Sequence, residues 1–285
     1  MMLMLRRTAL VACLVSCSQS PDSGNDAGDA SVAEASSDVA AADASDAGSA
    51  DVVAVMPYAG EVALLESTTD AGAAVFGAQA AFFTTLDAGA LATCTTQVGN
   101  CCYYTAVDGG ALGTPVGAGS ITIKYASKTI GTMTPSGTTY APLTSATTPS
   151  FVWVPGDVVD VSGAGDTVHS FFGAVTTATP FAGITPTFAA TTLVSRAQDF
   201  TISWTASSGA IRVGLLQSSS GDLIVCTTPN DTGSVTVDKS LLASFANGPG
   251  TIEILRTNVV DGASDNAAVT VAASASATNA TTYTN

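Results

Sequence analysis

From about residue 56 onward, apolar and polar side chains alternate with a period of two. No other feature restricts the fold as much. Ile121, Ile123 and Tyr125 alternate with Ser120, Thr122 and Lys124. Phe200, Ile202 and Trp204 alternate with Asp199, Thr201, Ser203 and Thr205, and Val235 and Val237 with Ser234, Thr236 and Asp238. Such alternation places one face of a strand in a core and the other in water. Thr, Val, Ile and aromatic residues suit a half-buried pleated surface. Turn signals fall between the runs, at Asp108-Gly109-Gly110, Pro155-Gly156, Ser208-Gly209, Ser220-Gly221 and Asn247-Gly248-Pro249-Gly250. Many short strands with regular turns make an all-β sandwich or barrel.

The C-terminal stretch resolves into strands near 187–194, 199–205, 210–217, 222–227, 233–238, 250–258 and 267–274. Between the fifth and sixth, Asp238 caps a short helical turn with Leu241, Leu242 and Phe245 on one side. In the sixth strand Arg256 follows Ile252 and Ile254 on one face while Leu255 sits opposite, so a bulge near Leu255 is expected. This region resembles the immunoglobulin-like superfold, over about a third of the chain. It departs from the antibody pattern, because neither the Trp204 strand nor the sixth strand carries a cysteine. The middle region reads as strands near 59–66, 77–84, 92–97, 102–107, 119–126, 128–134, 149–154, 157–162 and 168–176, forming a second, less regular sandwich. The pattern pauses near Thr179-Pro180. The expected body is therefore two β-sandwich domains, 55–180 and 181–285, the second immunoglobulin-like.

The N-terminal residues differ in kind. Arg6 and Arg7 precede a short apolar stretch from Ala9 to Val15, which closes on Ser16 and Cys17. This is the order of an export signal. The apolar run is too short to span a membrane, which needs roughly 20 residues. A plain secretory signal or a twin-arginine signal are the other readings of these residues. Leu14-Val15-Ser16-Cys17 resembles the lipobox of bacterial lipoproteins. That resemblance implies removal of residues 1–16 and a diacylglycerol on the Cys17 sulfur, an anchor of more than one acyl chain that holds stably. Residues 18–54 are almost entirely Ala, Asp, Ser, Gly and Val, with eight carboxylates and no Lys, Arg or aromatic residue. Nothing there offsets the entropy of ordering, so residues 17–54 are expected to form a disordered spacer behind the lipidated cysteine. Its r.m.s. reach is on the order of 30–35 Å. The layout of lipobox, Ala/Asp-rich spacer and β-sandwich is similar to surface lipoproteins common in myxobacteria and their relatives. The resemblance implies a cell-envelope location on a lipid anchor, in the outer membrane and facing the periplasm or the cell surface.

Charge narrows the partners. The chain carries a net −15, and residues 55–285 hold 15 acidic and 6 basic side chains. Such a surface repels phosphate backbones, which argues against nucleic acid. The expected partners are the membrane, through Cys17, and an envelope or matrix protein or a polysaccharide.

Cys94, Cys101, Cys102 and Cys226 remain after the signal, and in an exported protein they are disulfide candidates. Cys94 with Cys101 or Cys102 closes a short loop and leaves the other thiol for Cys226. A metal site would need His or carboxylates at ligand spacing, and the sole histidine, His169, is far off in sequence. No cofactor is expected. Calcium is the alternative, with Asp157, Asp160 and Asp166 as candidate ligands and Asp261 with Asp265 as a second acidic pair. Turn chemistry beside Gly156 and Gly165 accounts equally for Asp157 and Asp166.

Catalytic signatures are sparse. There is no Gly-x-Ser-x-Gly elbow, and a Ser-His-Asp arrangement would have to use His169 with an acid such as Asp166. Glu61, Glu66 and Glu253 read as outward strand positions. Trp204 reads as core, Trp153 has no assignable side, and Tyr103-Tyr104 puts one ring on each face. The expected function is a non-enzymatic interaction or structural module. A carbohydrate-binding module or hydrolase on the same scaffold is the alternative.

Overall fold

Strands dominate because the alternating residues leave each segment with one apolar face to bury. The computed structural model describes residues 56–68, 74–85, 94–105 and 113–285. The signal, Cys17, the acidic spacer and the Asp108-Gly109-Gly110 turn lie outside the described residues. In chain order the strands are β1 (Tyr58–Thr68), β2 (Ala74–Thr84), β3 (Thr96–Val98), β4 (Cys101–Tyr104), β5 (Ile121–Tyr125), β6 (Lys128–Met133), β7 (Pro135–Ser136), β8 (Thr139–Tyr140) and β9 (Leu143–Thr144). They continue as β10 (Val158–Gly163), β11 (Phe171–Thr176), β12 (Thr192–Ser195), β13 (Phe200–Ser203), β14 (Ala210–Gln217), β15 (Leu223–Thr228) and β16 (Ser234–Val237). A one-turn helix α1 (Lys239–Leu242) precedes the two longest strands, β17 (Gly248–Gly262) and β18 (Ala267–Thr284).

One ten-stranded sheet forms a wall in the order β3-β4-β15-β14-β17-β18-β1-β2-β9, with β12 also paired to β18. A four-stranded sheet, β11-β10-β5-β6, and two-stranded sheets, β13-β16 and β7-β8, complete the set. The β17–β18 hairpin runs the length of the wall, in register from Gly248↔Tyr283 to Gly262↔Val269. β1 runs parallel to the first part of β18, and β12 runs parallel to its last part.

Two apolar cores lie against this wall. The first packs Val62, Leu64, Phe82, Val269 and Val271 of the wall against Ile121, Ile123, Val159, Val161 and Phe171 of the four-stranded sheet. The second packs Val213, Leu215, Ile224, Ile252 and Ile254 against Ile202, Val235, Val237 and the α1 side chains Leu241 and Leu242. Residues paired across a ladder point to the same face. Val271 pairs Val260, and Ile254 lies an even number of residues from Val260, so both cores sit on one face of one sheet. Residues 56–285 form one compact unit. Its first core draws on β18, and its second draws on Cys101 and Tyr103 of β4.

Helix α1 forms as its residues require. Asp238 accepts from the Ser240 N–H at 2.7 Å, and Leu241, Leu242 and Phe245 are buried. Two expectations are corrected. Pairing of β17 runs unbroken past Leu255 on both sides, so no bulge is present there. Arg256 simply shares the inner face with Ile252 and Ile254. The irregularity in a ladder falls instead between Ile123 and Lys124. The segment expected as a strand over 149–154 alternates buried Phe151 and Trp153 with exposed Val152 and Val154, yet forms no ladder.

Candidate functional site

Among the described residues, three gatherings of candidate groups bear on function, beside the Arg212–Glu253 pair on the wall's other face. The first is an open cleft of about 690 Å³ at one end of the first core, between the 164–170 segment and the 263–266 turn. Its central pair is His169 Nδ1 and Asp265 Oδ1, 2.6 Å apart and both largely exposed. Asn266 fixes the arrangement by accepting from the His169 backbone N–H at 2.9 Å and donating to the Thr167 carbonyl at 3.0 Å. Asp166, Ser170 and Ser264 also line the cleft. The acid beside His169 is thus Asp265, not Asp166. The sequence offers Asp265 only as a calcium candidate beside Asp261, because nothing local tells that the hairpin tip closes against residue 169. Among the described residues no hydroxyl is hydrogen-bonded to the His169 ring, so a nucleophile and base are not brought together.

The candidate calcium ligands are dispersed. Asp157 and Asp166 flank opposite ends of β10, and Asp160 sits on its outer face opposite Lys124. Asp157 accepts from the Tyr125 hydroxyl at 2.6 Å. Among the described residues no three His, Cys, Asp or Glu side chains converge as a metal site.

The second place is a polar seam between the two cores. Glu66 of β1 pairs Ala275 of β18, which pairs Arg256 of β17, and all three face inward. The Arg256 side chain is 1% exposed and the Asp231 side chain not at all. The Arg256 Nε and Nη2 donate to Asp231 Oδ2 at 2.9 and 2.6 Å. Its remaining donors reach the carbonyls of Thr179 (2.6 Å), Pro180 (3.3 Å) and Thr205 (3.1 Å), and Phe181 lies over the guanidinium at 4.4 Å. Trp204 Nε1 and the backbone of Gly233 donate to Asp231 Oδ1, both at 2.8 Å, and Ser207 donates to Oδ2 at 3.0 Å. Burial works to raise the Asp231 carboxyl, but these hydrogen bonds outweigh it and hold the group below the ordinary aspartate value. A buried pair with every donor satisfied ties the 179–181 crossover and the 205 and 231 loops to the wall.

Glu66 is the contrast. It is 4% exposed and its Oε2 has no hydrogen-bond partner among the described residues. Burial pushes its pKa up to about 7. The outward position expected for Glu66 is corrected. It shares parity with Val62 and Leu64, so the pleat turns it inward. Glu61 and Glu253 are on the opposite face of the sheet, where Glu61 is nevertheless largely buried. There Glu253 meets Arg212 at 3.4 Å. Burial raises Glu61 to about 7, with Arg212 opposing the rise. Burial lowers Arg212, with Glu253 and Glu61 opposing.

The third place is the disulfide pair at the wall's far edge. Cys94 is bonded to Cys102, and Cys101 to Cys226. Adjacent residues of β4 face opposite ways. Cys101 therefore enters the second core beside Cys226, its register partner on β15, while Cys102 faces out toward Cys94.

No protein-family model matches this chain, and no curated protein matches it. Among solved structures, one described as "Structural insight into host cell surface retention of a 1.5-MDa bacterial ice-binding adhesin" aligns at a TM-score of 0.21 and 12% identity. The match covers 79% of this chain and 65% of that one. A likeness at this level carries no argument. The class defined by the structure is coarser: an all-β protein of layered sheets clamped by two disulfides.

Proposed function

We propose that this chain is a lipid-anchored cell-envelope protein whose β-rich unit serves as a non-enzymatic interaction or structural module. The observation that carries the reading is the order Arg6-Arg7, apolar 9–15, Leu14-Val15-Ser16-Cys17, then an acidic spacer without a single basic residue to position 54. The polar geometry supports it. The buried ion pair Arg256–Asp231 is consumed in holding loops to the wall. The C-terminal part, β12 to β18 with the α1 turn between β16 and β17, is the immunoglobulin-like element of this proposal. Partners of the module are an envelope or matrix protein or a polysaccharide, met through loops or an open strand edge.

The second reading, a sugar-binding or hydrolytic site, is favoured by the cleft around His169, Asp265 and Asp166. Membrane fractionation with labelled palmitate tests the first. Wild-type protein is expected in the membrane fraction carrying label, and Cys17→Ser is expected in the soluble fraction without it. Membrane retention of the unlabelled variant overturns the anchor. Polysaccharide binding lost on His169→Ala and Asp265→Ala would move the assignment to the second reading.

A further inference from the structure

The parallel pairing of β1 with β18 has a mechanical consequence. The described unit starts at β1, and its first strand lies beside its last over ten residue pairs, from Tyr58↔Ala267 to Ser67↔Ser276. Both strands run from the pole that holds the 263–266 turn toward the seam. β1 stops there, and β18 continues into the second core, where Tyr283 is 1% exposed. The Ser218–Gly221 turn lies at that second pole, because Gln217 pairs Gly250, which in turn pairs Thr281. Tyr58 and the second core thus sit at opposite ends of one ladder.

A pull applied between them drags β1 and β18 along each other. Parallel ladder bonds are evenly spaced along the strands, so shear strains them together instead of one after another. β1 is also gripped on its other side by β2, in register from Tyr58↔Thr84 to Thr68↔Ala74. Its inward side chains Val62 and Leu64 are fully buried. A slip of one residue would turn Val62 and Leu64 out of the core. A pull between Tyr58 and the 263–266 turn has none of this protection. Both points lie at the same pole, and the ladder is peeled from its first pair.

We propose that the β1–β18 ladder is a force clamp, which holds the unit folded when its N-terminal end is pulled against whatever the C-terminal sandwich has bound. The biological source of load rests on the anchor proposed above, while the directional strength belongs to the folded unit alone. Single-molecule force spectroscopy on the mature chain tests it. One handle is fixed at the N-terminus, and the second is clicked onto an unnatural side chain at exposed Ser219 or at exposed Ala263. Forced unfolding reports the unfolding barrier directly. At equal pulling speed, the Ser219 geometry is expected to need a severalfold higher unfolding force than the Ala263 geometry. Equal forces, or a stronger Ala263 geometry, overturn the clamp. A handle at the C-terminus in place of Ser219 gives the same expected ordering and removes any effect of the substitution. A wild-type protein that takes up no palmitate label, with the force difference intact, rejects the anchor and leaves the clamp. The reverse result rejects the clamp alone.

Discussion

Glu66 gives one residue a pH window. Its carboxyl titrates near 4.5 when unconstrained and near 7 in the folded chain. Between those values the folded state keeps a proton that the unfolded state has released. This contribution is therefore fully present below about pH 4.5 and is lost as pH rises through about 7. The loss is about 1–3 kcal/mol for a group this buried. Glu61 shifts in the same direction and Asp231 in the opposite one, with its stabilisation present above the ordinary aspartate value and lost as pH falls below it through the depressed folded value. Glu66→Gln is expected to raise stability at pH 8 by about 1–3 kcal/mol and to change it little at pH 5. Urea unfolding of both proteins at the two pH values checks this, and parallel pH profiles reject it. The inward side of Glu66 was legible in principle, since it has the parity of Val62 and Leu64. The habit of reading an acid as surface hid it. Arg256 was hidden in the same way, because its partner Asp231 arrives from a loop with no periodicity.

At the scale of elements, the pleat decided what cysteine spacing left open. Sequence offered Cys94 either neighbour, and only the opposite facing of Cys101 and Cys102 on β4 assigns the core bond to Cys101. The two bonds close loops of very different length, with separations of 125 residues for Cys101–Cys226 and 8 for Cys94–Cys102. In the chain-entropy account the long loop is worth about 5 kcal/mol and the short one about 2–3 kcal/mol. Replacing Cys101 and Cys226 by Ser is expected to destabilise the protein clearly more than replacing Cys94 and Cys102. Equilibrium denaturation of the two double variants gives the comparison, and equal losses contradict it. Strand positions such as Ala210–Gln217 and Lys128–Met133 were legible almost to the residue, and so was the α1 cap at Asp238. Their neighbours were not. Which strand pairs which is set by long-range burial, and no local pattern records that β1 belongs beside β18.

For the whole molecule, the shared wall determines how the cores depend on each other. The fully buried residues of the first core lie within 62–175 apart from those of β18, and those of the second lie within 194–283 apart from those of β4. Those exceptions couple the halves. Residues 181–285 alone would lose β1 from the side of β18 and β4 from the side of β15, and would leave Cys226 without Cys101. Val269 and Val271, both buried by the first core, would face water. Arg256 would lose the Thr179 and Pro180 carbonyls and keep a buried charge with fewer partners, which is destabilising. The intact chain is therefore expected to unfold in one cooperative transition, with residues 267–276 among its best-protected amides. The 181–285 fragment is expected to exchange those same amides rapidly and to melt without a sharp transition. Hydrogen exchange with mass spectrometry on both proteins measures it. Full protection of residues 267–276 in the isolated fragment would mean that β18 needs no partner from the first half, and that the two cores share a sheet without sharing stability.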